Sequence, residues 1–211
     1  MTVNIKIYNE IKSLLVEYSN TELLVVSKNR QKNDIEHLMM HGANLFGENR
    51  VQEAKSKFTS DLYEKYKFKL HLIGPLQTNK AEDALTIFDT IQTIDRYKLI
   101  DTISKLKNKK EYITKSFYIQ INIGEEKQKS GVSLNELNNL YNYSLEKELN
   151  IVGLMCIPPL NSNADFYFNK MQEIKDKLNN KLLLSMGMSD DYLNALGCGT
   201  NLIRIGSKLF R

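Results

Sequence analysis

The sequence predicts an α/β fold, a single (β/α)₈ TIM barrel with an extra N-terminal helix, on three observations. Eight short apolar runs alternate with longer stretches that repeat apolar residues at helical spacing. Such alternation is typical of a parallel sheet covered by helices. No Pro/Gly/Ser-rich linker interrupts the series, so residues 1–211 are interpreted as one domain. An open doubly wound sheet is the alternative, although no Gly-x-Gly-x-x-Gly motif follows the first strand.

The predicted elements begin with a charged amphipathic helix in MTVNIKIYNEIKSLL, which lacks the cleavage site of a signal peptide. The predicted strands are the eight apolar runs, at Leu23–Ser27, Asn44–Gly47, Lys69–Gly74, Thr90–Ile94, Phe117–Ile123, Ile151–Ile157, Leu182–Met186 and Leu202–Ile205. The predicted helices between them cover Asp34–His41, Val51–Tyr66, Lys80–Phe88, Arg96–Lys109, Leu134–Glu148, Ala164–Asn179 and Asp190–Leu196. Eight strands in succession favour a closed barrel.

Three of these helices carry start signals. Asn33 is the predicted N-cap of the helix after the first strand, and Ser189 is the predicted N-cap of the last helix. Ser133 and Glu136 have the spacing of a capping box. Each signal lies shortly after a predicted strand, as strand–helix alternation requires.

Composition limits the classes of function. The apolar content of 42% suffices for a large core, and no run of about 18 apolar residues could span a membrane. Two cysteines without metal-ligand spacing indicate reduced thiols in a cytoplasmic protein and no metal site. The tract Lys105–Lys110 is interpreted as a solvated helix end rather than a nucleic-acid patch. We therefore expect a cytoplasmic protein with a small-molecule partner, and neither nucleic acid nor membrane as a partner. A lean barrel without an apolar repeat fits a monomer, although no motif encodes the oligomeric state.

Lys28 ends the first apolar run, LLVVSK. Alternation puts Leu24, Val26 and Lys28 on one face, which a barrel can point inward. Function in such barrels lies at the C-terminal ends of the strands, so Lys28 is a candidate functional residue. Its amine could bind phosphate, pair with a carboxylate such as Glu48, or form a Schiff base with a carbonyl. The alternative without function is a lysine whose amine reaches water from the strand end.

Small residues end the last two predicted strands. The stretch SMGMS, Ser185–Ser189, precedes a helix start, where backbone N–H groups favour an anion. The stretch RIGS, Arg204–Ser207, again places Gly and Ser at a strand end. Each motif alone is also typical of a turn. The loops after strands seven and eight are the recurrent phosphate site of barrel enzymes, so the two motifs together predict a phosphorylated ligand.

Arg204 is the second unusual charge, since it lies within the apolar final strand. A buried arginine must be paired or must serve a ligand. Arg204 shares a face with Leu202 and Gly206, so it can point into the barrel mouth. The alternative is a salt bridge to Asp95 or Glu48.

Other reactive side chains rank lower as site candidates. His37 and His41 are four residues apart but lack the glutamate of the metalloprotease motif, so they are interpreted as exposed helix residues. His71 is interpreted as a hydrogen-bonded core histidine, and Cys156 as a small buried residue. The charged loop Gly124–Gly131 is by default a solvated turn, although its position after strand five leaves a role open.

A lysine, a phosphate site and an arginine inside one barrel suggest pyridoxal 5′-phosphate, which proteins hold as a lysine Schiff base. The chain also resembles the pyridoxal phosphate homeostasis proteins, whose single barrel is similar to the N-terminal domain of alanine racemase. The matching stretches run in order from residue 25 to 210: VVSKNR, FGENRVQE, HLIGPLQTNK, GEEKQKSGV, GLMCIPPL, LSMGMSDDY and GTNLIRIGSKLF. The resemblance therefore covers nearly the whole chain.

The resemblance implies roles for the matched positions. Lys28 would hold the cofactor as a Schiff base, Arg204 would face the pyridine nitrogen, and Asn49 would lie beside the ring. Ser185, Gly206 and Ser207, at the last two strand ends, would hold the phosphate. Backbone N–H groups around Met186 to Ser189 would help. Threonine is common in the family where Ser207 and Cys156 stand here.

The implied arginine bears on turnover. A guanidinium keeps its proton, so Arg204 would donate to an unprotonated ring nitrogen and weaken the ring as an electron sink. Racemases of similar fold take a second base from a further domain and a partner subunit, and none of the eleven tyrosines here stands in a recognisable second-base motif. We therefore predict a non-catalytic carrier in vitamin B6 homeostasis, with apo pyridoxal enzymes as recipients.

Two alternatives stay open at this point. One is a weak pyridoxal-dependent racemase or decarboxylase that uses Lys28 as its base, and the other is a cofactor-free Schiff-base aldolase acting on sugar phosphates. Whether a second cofactor molecule binds near Lys80 is also left open.

Overall fold

The computed structural model describes residues 3–160 and 162–210, which form a closed eight-stranded barrel. Each strand runs parallel to its neighbour in chain order, and the last strand pairs with the first. The strands are β1 (Glu22–Val26), β2 (Leu45–Glu48), β3 (Lys69–Leu72), β4 (Thr90–Ile94), β5 (Ser116–Ile121), β6 (Ile151–Cys156), β7 (Leu183–Met188) and β8 (Leu202–Ile205). The predicted (β/α)₈ barrel is confirmed, and the open sheet is wrong.

Helices alternate with the strands and cover the outside of the barrel. They are α1 (Ile5–Leu14), α2 (Lys32–Met40), α3 (Val51–Lys57), α4 (Ser60–Tyr66), α5 (Ala81–Ile87), α6 (Tyr97–Lys107), α7 (Leu137–Glu146), α8 (Ala164–Leu178) and α9 (Tyr192–Gly197). The predicted extra helix is α1, whose N-cap Asn4 accepts a hydrogen bond from the Ile7 N–H. No helix in the described ranges is long and apolar enough to cross a membrane.

One predicted helix is two helices. The chain leaves helical geometry between α3 and α4, at Phe58 and Thr59. The Phe58 ring packs on Phe46 and Phe68, with ring centroids 5.5 and 5.1 Å apart respectively. Aromatic pairs at these separations contribute about 0.5–1.5 kcal/mol beyond their burial. Packing of Phe58 therefore accompanies a break that the helical spacing of Val51–Tyr66 did not indicate.

Two predicted N-caps are misplaced. The helix α2 begins at Lys32, so Asn33 lies inside its first turn. The helix α7 begins at Leu137, and the capping box does not form because the Glu136 N–H donates to the Ser133 carbonyl oxygen in a turn. Both errors move a helix start by a few residues and leave the order of elements unchanged.

Side chains alternate between the two faces of the barrel wall, as the strand period requires. Outward-facing apolar residues pack under the helices in one large core. Inside the barrel, Leu24, Leu45 and Leu202 form a separate small cluster, on which Val26 and Ile73 pack. Full burial of one leucine stabilises a fold by about 1.5–3 kcal/mol. This inner cluster closes the barrel interior, while Val26 and Ile73 also line the pocket at its mouth.

Candidate functional site

A pocket of about 280 Å³ opens at the C-terminal ends of the strands. Its lining residues are Val26, Lys28, Asn49, Ile73, Ile157, Met188, Ser189, Asp190, Arg204, Gly206 and Ser207. Six of the eight predicted site residues are among them: Lys28, Asn49, Ser189, Arg204, Gly206 and Ser207. The volume is near the lower end of the roughly 300–1,000 Å³ of small-molecule sites. The pocket therefore suits a small ligand.

Lys28 follows β1 and is exposed at the pocket mouth. Its neighbour Asn29 has a φ of 58°, a left-handed conformation that asparagine tolerates better than most residues. Among the described residues, no carboxylate forms an ion pair with the Lys28 amine and no hydrogen bond reaches it. The predicted alternative of a Lys28–Glu48 pair is wrong, because Glu48 pairs with Lys57.

A buried ionic cluster, here called the Glu48 cluster, lies behind the turn that carries Lys28. It consists of Ser27, Glu48, Glu53 and Lys57. The Lys57 Nζ lies 2.6 Å from Glu48 Oε1 and 2.8 Å from Glu53 Oε1, and it donates to the Ser27 carbonyl oxygen at 2.7 Å. Ser27 Oγ donates to Glu48 Oε1 at 2.6 Å.

The Glu48 cluster holds the backbone on both sides of Lys28. Ser27 is bonded through its side chain and its carbonyl oxygen, and the Asn29 N–H donates to Glu53. Burial raises the pKa of Glu48 above its ordinary range, against the opposing effect of Lys57. Because the cluster contains two carboxylates and one ammonium, its single cation is paired within the cluster and is not available to a ligand. It supports the position of Lys28 without binding its amine.

The two loops after β7 and β8, the second of them next to β1 in the barrel, present backbone donors to the pocket. Ser189, Asp190 and Ser207 line the pocket, and their N–H groups donate no hydrogen bond to any other described residue. The Gly206 N–H lies 3.4 Å from Ser189 Oγ, so the two loops touch. A β-carbon at Gly206 would approach the Val26 β-carbon and carbonyl oxygen to 3.1 Å. Free N–H groups clustered in loops form an anion-binding concavity.

The turn after β7 differs from the predicted helix start. The helix α9 begins at Tyr192, so Ser189 is not its N-cap and the prediction is wrong. Instead the Met188 N–H donates to Asp191 Oδ1 at 2.6 Å, which closes a turn before the helix. Gly187 has a φ of 93°, and a β-carbon there would lie 2.5 Å from the Ala195 β-carbon. The glycine thus allows the strand to pass close to α9 and leaves Ser189 facing the pocket.

Arg204 is buried, with 3% of its surface exposed, and its partners are neutral. Its Nη1 donates to Ser185 Oγ and its Nη2 to the Cys156 carbonyl oxygen, both at 2.8 Å. No carboxylate among the described residues forms an ion pair with it, so the alternative of a salt bridge to Asp95 or Glu48 is wrong; Asp95 pairs with Arg96 and Glu48 with Lys57. Burial lowers the pKa of Arg204, yet a guanidinium keeps its charge in proteins. A cation that forms no ion pair with any described carboxylate therefore lies in the pocket wall.

Two predicted site residues do not line the pocket. Ser185 is fully buried and bonds Arg204 and Gln92. Met186 is fully buried in the core between the sheet and the helices. The Cys156 side chain is in the same core, where burial raises the pKa of its thiol to about 12.

The lower-ranked candidates lie apart from the pocket or beside it. His37 is on α2 and His41 follows its last residue, and the described residues contain no group of three or more metal-ligating side chains. His71 is inside the barrel, where burial lowers its pKa to about 3. The loop after β5 lines a second cavity of about 290 Å³ beside the first, and the two share Asn49, Ile73 and Ile157.

Sequence inspection missed Gln92 and Lys57, which support Arg204 and the Lys28 turn. Each is a polar residue at a buried position, and Gln92 is in the otherwise apolar or hydroxylated strand TIQTI. A long polar side chain in a strand buried on both faces is itself a signal, because buried polar groups need partners. The partners could not be named because they come from other strands.

The fold is that of the barrel domain of alanine racemases. The family model described as the alanine racemase N-terminal domain matches residues 6–211. The alanine racemase of Clostridium difficile superposes with a TM-score of 0.74 at 16% identity, covering 96% of this chain and 55% of that chain, a likeness of fold alone.

Closer relatives define the family. The pyridoxal phosphate homeostasis protein of Pasteurella multocida is 36% identical over 204 residues, covering 91% of this chain and 86% of that protein. The protein of the same name from Aquifex aeolicus is 35% identical over 198 residues, covering 90% and 86%. PipY of Synechococcus elongatus, solved with pyridoxal phosphate bound, has a TM-score of 0.78 at 30% identity, covering 91% and 93%. This chain belongs to the pyridoxal phosphate homeostasis protein family.

Proposed function

We propose that this protein binds pyridoxal 5′-phosphate at Lys28 and acts in pyridoxal phosphate homeostasis. The observation that carries the proposal is the joint content of one small pocket: an amine without a carboxylate partner, an uncompensated guanidinium, and two loops with free N–H groups. The names of the related proteins and the ligand of PipY support it.

The residues of the pocket fit the chemistry of this cofactor. Pyridoxal phosphate supplies an aldehyde that bonds covalently to a lysine amine. Lys28 is the one lysine that lines the pocket among the described residues. In this proposal, Ser189, Gly206 and Ser207 hold the phosphate with hydroxyl and N–H groups. Arg204 donates to the ring nitrogen, and Asn49 orients the ring.

The same pocket favours holding the cofactor over turnover. Besides Lys28, the titratable side chains that line it in the described chain are Arg204 and Asp190. A guanidinium cannot accept a proton, and Asp190 is exposed in the loop proposed to hold phosphate. The described residues that line the pocket therefore offer no second base besides Lys28. We propose a cytoplasmic, monomeric, non-catalytic carrier whose recipients are apo pyridoxal enzymes.

The deciding experiment is a cofactor titration followed by reduction. Purified protein is titrated with pyridoxal phosphate while its visible spectrum is recorded, reduced with borohydride, digested and mapped by mass spectrometry. We expect one phosphopyridoxyl adduct, on Lys28, and loss of the bound spectrum in Lys28→Ala.

Lys32→Ala is the matched control, because Lys32 is an exposed lysine in the same region whose amine bonds Thr59. It should leave the titration unchanged. An adduct elsewhere, or equal binding by Lys28→Ala, would contradict the proposal. Racemisation or decarboxylation of amino acids by the wild type that Lys28→Ala abolishes would contradict the non-catalytic part alone. Trapping of Lys28 by sugar phosphates without added pyridoxal phosphate would indicate an aldolase.

A further inference from the structure

We propose that Ser185, Gln92 and His71 are positioning residues that orient Arg204, and that Ser185 does not bind the phosphate of the ligand. This inference rests on the proposed function and assigns a role to two residues that sequence inspection did not select. Together with Arg204, these residues form what we call the inner polar chain.

The inner polar chain crosses the interior of the barrel. Arg204 Nη1 donates to Ser185 Oγ at 2.8 Å, Ser185 Oγ donates to Gln92 Oε1 at 2.7 Å, and Gln92 Nε2 lies 2.8 Å from His71 Nδ1. Gln92 and Ser185 are fully buried, and Arg204 and His71 are 3% and 9% exposed. The four side chains come from β8, β7, β4 and β3, so four separate strands hold one guanidinium in place.

Arg204 determines the direction of every hydrogen bond in the inner polar chain. A guanidinium only donates, so Ser185 Oγ must accept from Arg204. The single hydroxyl hydrogen of Ser185 then needs an acceptor, which Gln92 Oε1 supplies. The Gln92 amide nitrogen consequently faces His71, whose Nδ1 must accept. His71 is therefore neutral and carries its proton on Nε2.

A flip of the Gln92 side-chain amide, which exchanges its nitrogen and oxygen, would break this order of hydrogen bonds. The Gln92 amide nitrogen would then face Ser185 Oγ, which already accepts from Arg204, and the hydroxyl hydrogen of Ser185 would lose its acceptor. An unsatisfied polar group in a buried site is unfavourable. The chain thus has one satisfied arrangement, and that arrangement fixes the orientation of Arg204.

A chain of neutral partners has a chemical consequence that a carboxylate would not have. A buried carboxylate would orient Arg204 equally well but would neutralise it and compete with the ligand. Neutral oxygens occupy guanidinium hydrogens and leave the positive charge available to an acceptor in the pocket. Ser185 can be such a partner because it lies outside the pocket lining and its hydroxyl is already committed on both sides.

The test compares pyridoxal phosphate with pyridoxal, which lacks the phosphate. If Ser185 acts through Arg204 on the ring, Ser185→Ala weakens binding of both ligands by the same factor. Loss of one hydrogen bond to a charged group predicts a factor of about 10 or more in Kd. Ser207→Ala is the contrasting variant, and it should weaken pyridoxal phosphate alone. Ser144→Ala, which removes another fully buried serine hydroxyl, on α7, should change neither affinity.

Weakening of pyridoxal phosphate alone by Ser185→Ala would overturn the proposal and make Ser185 a phosphate ligand. Unchanged affinity for both ligands would also overturn it. If the wild type binds neither ligand, the proposed function fails. The inner polar chain is then tested by a measurement on the ligand-free protein.

A ligand-free measurement completes the test. Nitrogen-15 NMR of the imidazole groups should show His71 neutral, with its proton on Nε2, at pH 6. Gln92→Glu keeps the side-chain shape and presents an oxygen to His71, so it should move a proton onto Nδ1. A wild-type His71 with its proton on Nδ1, or no change in Gln92→Glu, would overturn the proposed chain without reference to any cofactor.

Discussion

The two cations of the pocket are supported by two buried networks of opposite character on the two faces of one barrel wall. Behind Lys28, the Glu48 cluster combines two carboxylates with the Lys57 ammonium. Beneath Arg204, the inner polar chain consists of a hydroxyl, an amide and a neutral imidazole. The Glu48 cluster pairs its one cation with two carboxylates, and the inner polar chain leaves the positive charge of Arg204 for a ligand.

Because of this difference, we expect the Glu48 cluster to affect mainly stability and the inner polar chain to affect mainly ligand binding. In the Glu48 cluster, removal of one partner leaves a buried charge without compensation, which is strongly destabilising. In the inner polar chain, removal of Arg204 leaves neutral groups, and the main loss is the charge presented to the pocket. We therefore expect changes in the outer network to lower the free energy of unfolding and changes in the inner network to lower affinity for the cofactor.

The largest expected effect is that of Lys57→Met. Loss of the ammonium leaves Glu48 buried without its cation, and we expect the free energy of unfolding to fall by about 3–5 kcal/mol in urea denaturation. The double variant with Glu48→Gln should recover part of the loss. Lys65→Met, which removes an exposed partner of Glu36, should leave the unfolding midpoint nearly unchanged. A small loss in Lys57→Met would contradict the view of the Glu48 cluster as a structural support.

The next effect is a pH dependence with opposite signs in the two networks. Burial lowers the pKa of His71 to about 3, so the unfolded chain, with a pKa of about 6.5, binds an extra proton between these values. Stability from this group is complete above pH 6.5 and falls by about 1.4 kcal/mol per pH unit below it, or about 3 kcal/mol by pH 4. His71→Asn should flatten this slope in denaturant titrations at several pH values.

Two results would contradict that assignment. One is an unchanged slope in His71→Asn, and the other is an equal flattening in His41→Gln, which alters an exposed histidine. Glu48 acts in the opposite direction. Its raised pKa makes its contribution largest below the unfolded value of about 4.3 and smaller as the pH rises above it.

Arg204→Met should separate affinity from stability. The variant removes the buried charge but retains an apolar side chain of similar length, so the free energy of unfolding should change by less than about 2 kcal/mol. The Kd for pyridoxal phosphate should rise about 100-fold, because a charge-assisted hydrogen bond in a buried site is lost. Parallel titration and urea unfolding measure both quantities. A large loss of stability with unchanged affinity would reverse the roles of the two networks.

The smallest effect concerns the turn that links the Glu48 cluster to Lys28. Asn29 has a left-handed backbone, so Asn29→Ala should cost about 1 kcal/mol of stability. Asn29→Gly keeps this conformation accessible and should cost less than Asn29→Ala. Thermal unfolding compares the two variants. Equal stability of both would show that the turn is not conformationally constrained.

Much of this architecture follows from local patterns. Strand–helix alternation predicts the barrel, and strand alternation predicts that Lys28 shares an inward face with Leu24 and Val26. The predicted helix starts at Asn33, Ser133 and Ser189 were less accurate. Hydrogen-bonded turns precede α7 and α9, and α2 begins one residue before Asn33 without a side-chain cap. The break at Phe58 depends on rings from β2 and on the segment before β3, which no local pattern reveals.

The site, like the fold, has parts that the sequence predicts and parts that it does not. Residues at strand ends, such as Lys28 and Ser207, could be selected because barrel topology assigns function to those positions. The partners of Arg204 could not be assigned, since a carboxylate, a hydroxyl or a ligand would each satisfy a buried guanidinium. Only the barrel register brings Ser185 and Gln92, 93 positions apart in the chain, within hydrogen-bond distance.

The exposure of Lys28 also bears on kinetics. Its amine stands at an open mouth, while Arg204 is enclosed by strands that are paired on both sides around the barrel. Water and competing amines can therefore reach a bond made by Lys28 without any movement of the protein. In the proposed role, the residence time of the ligand would be governed by hydrolysis or amine exchange at that bond, and the concentration of free amines around the protein would regulate its release.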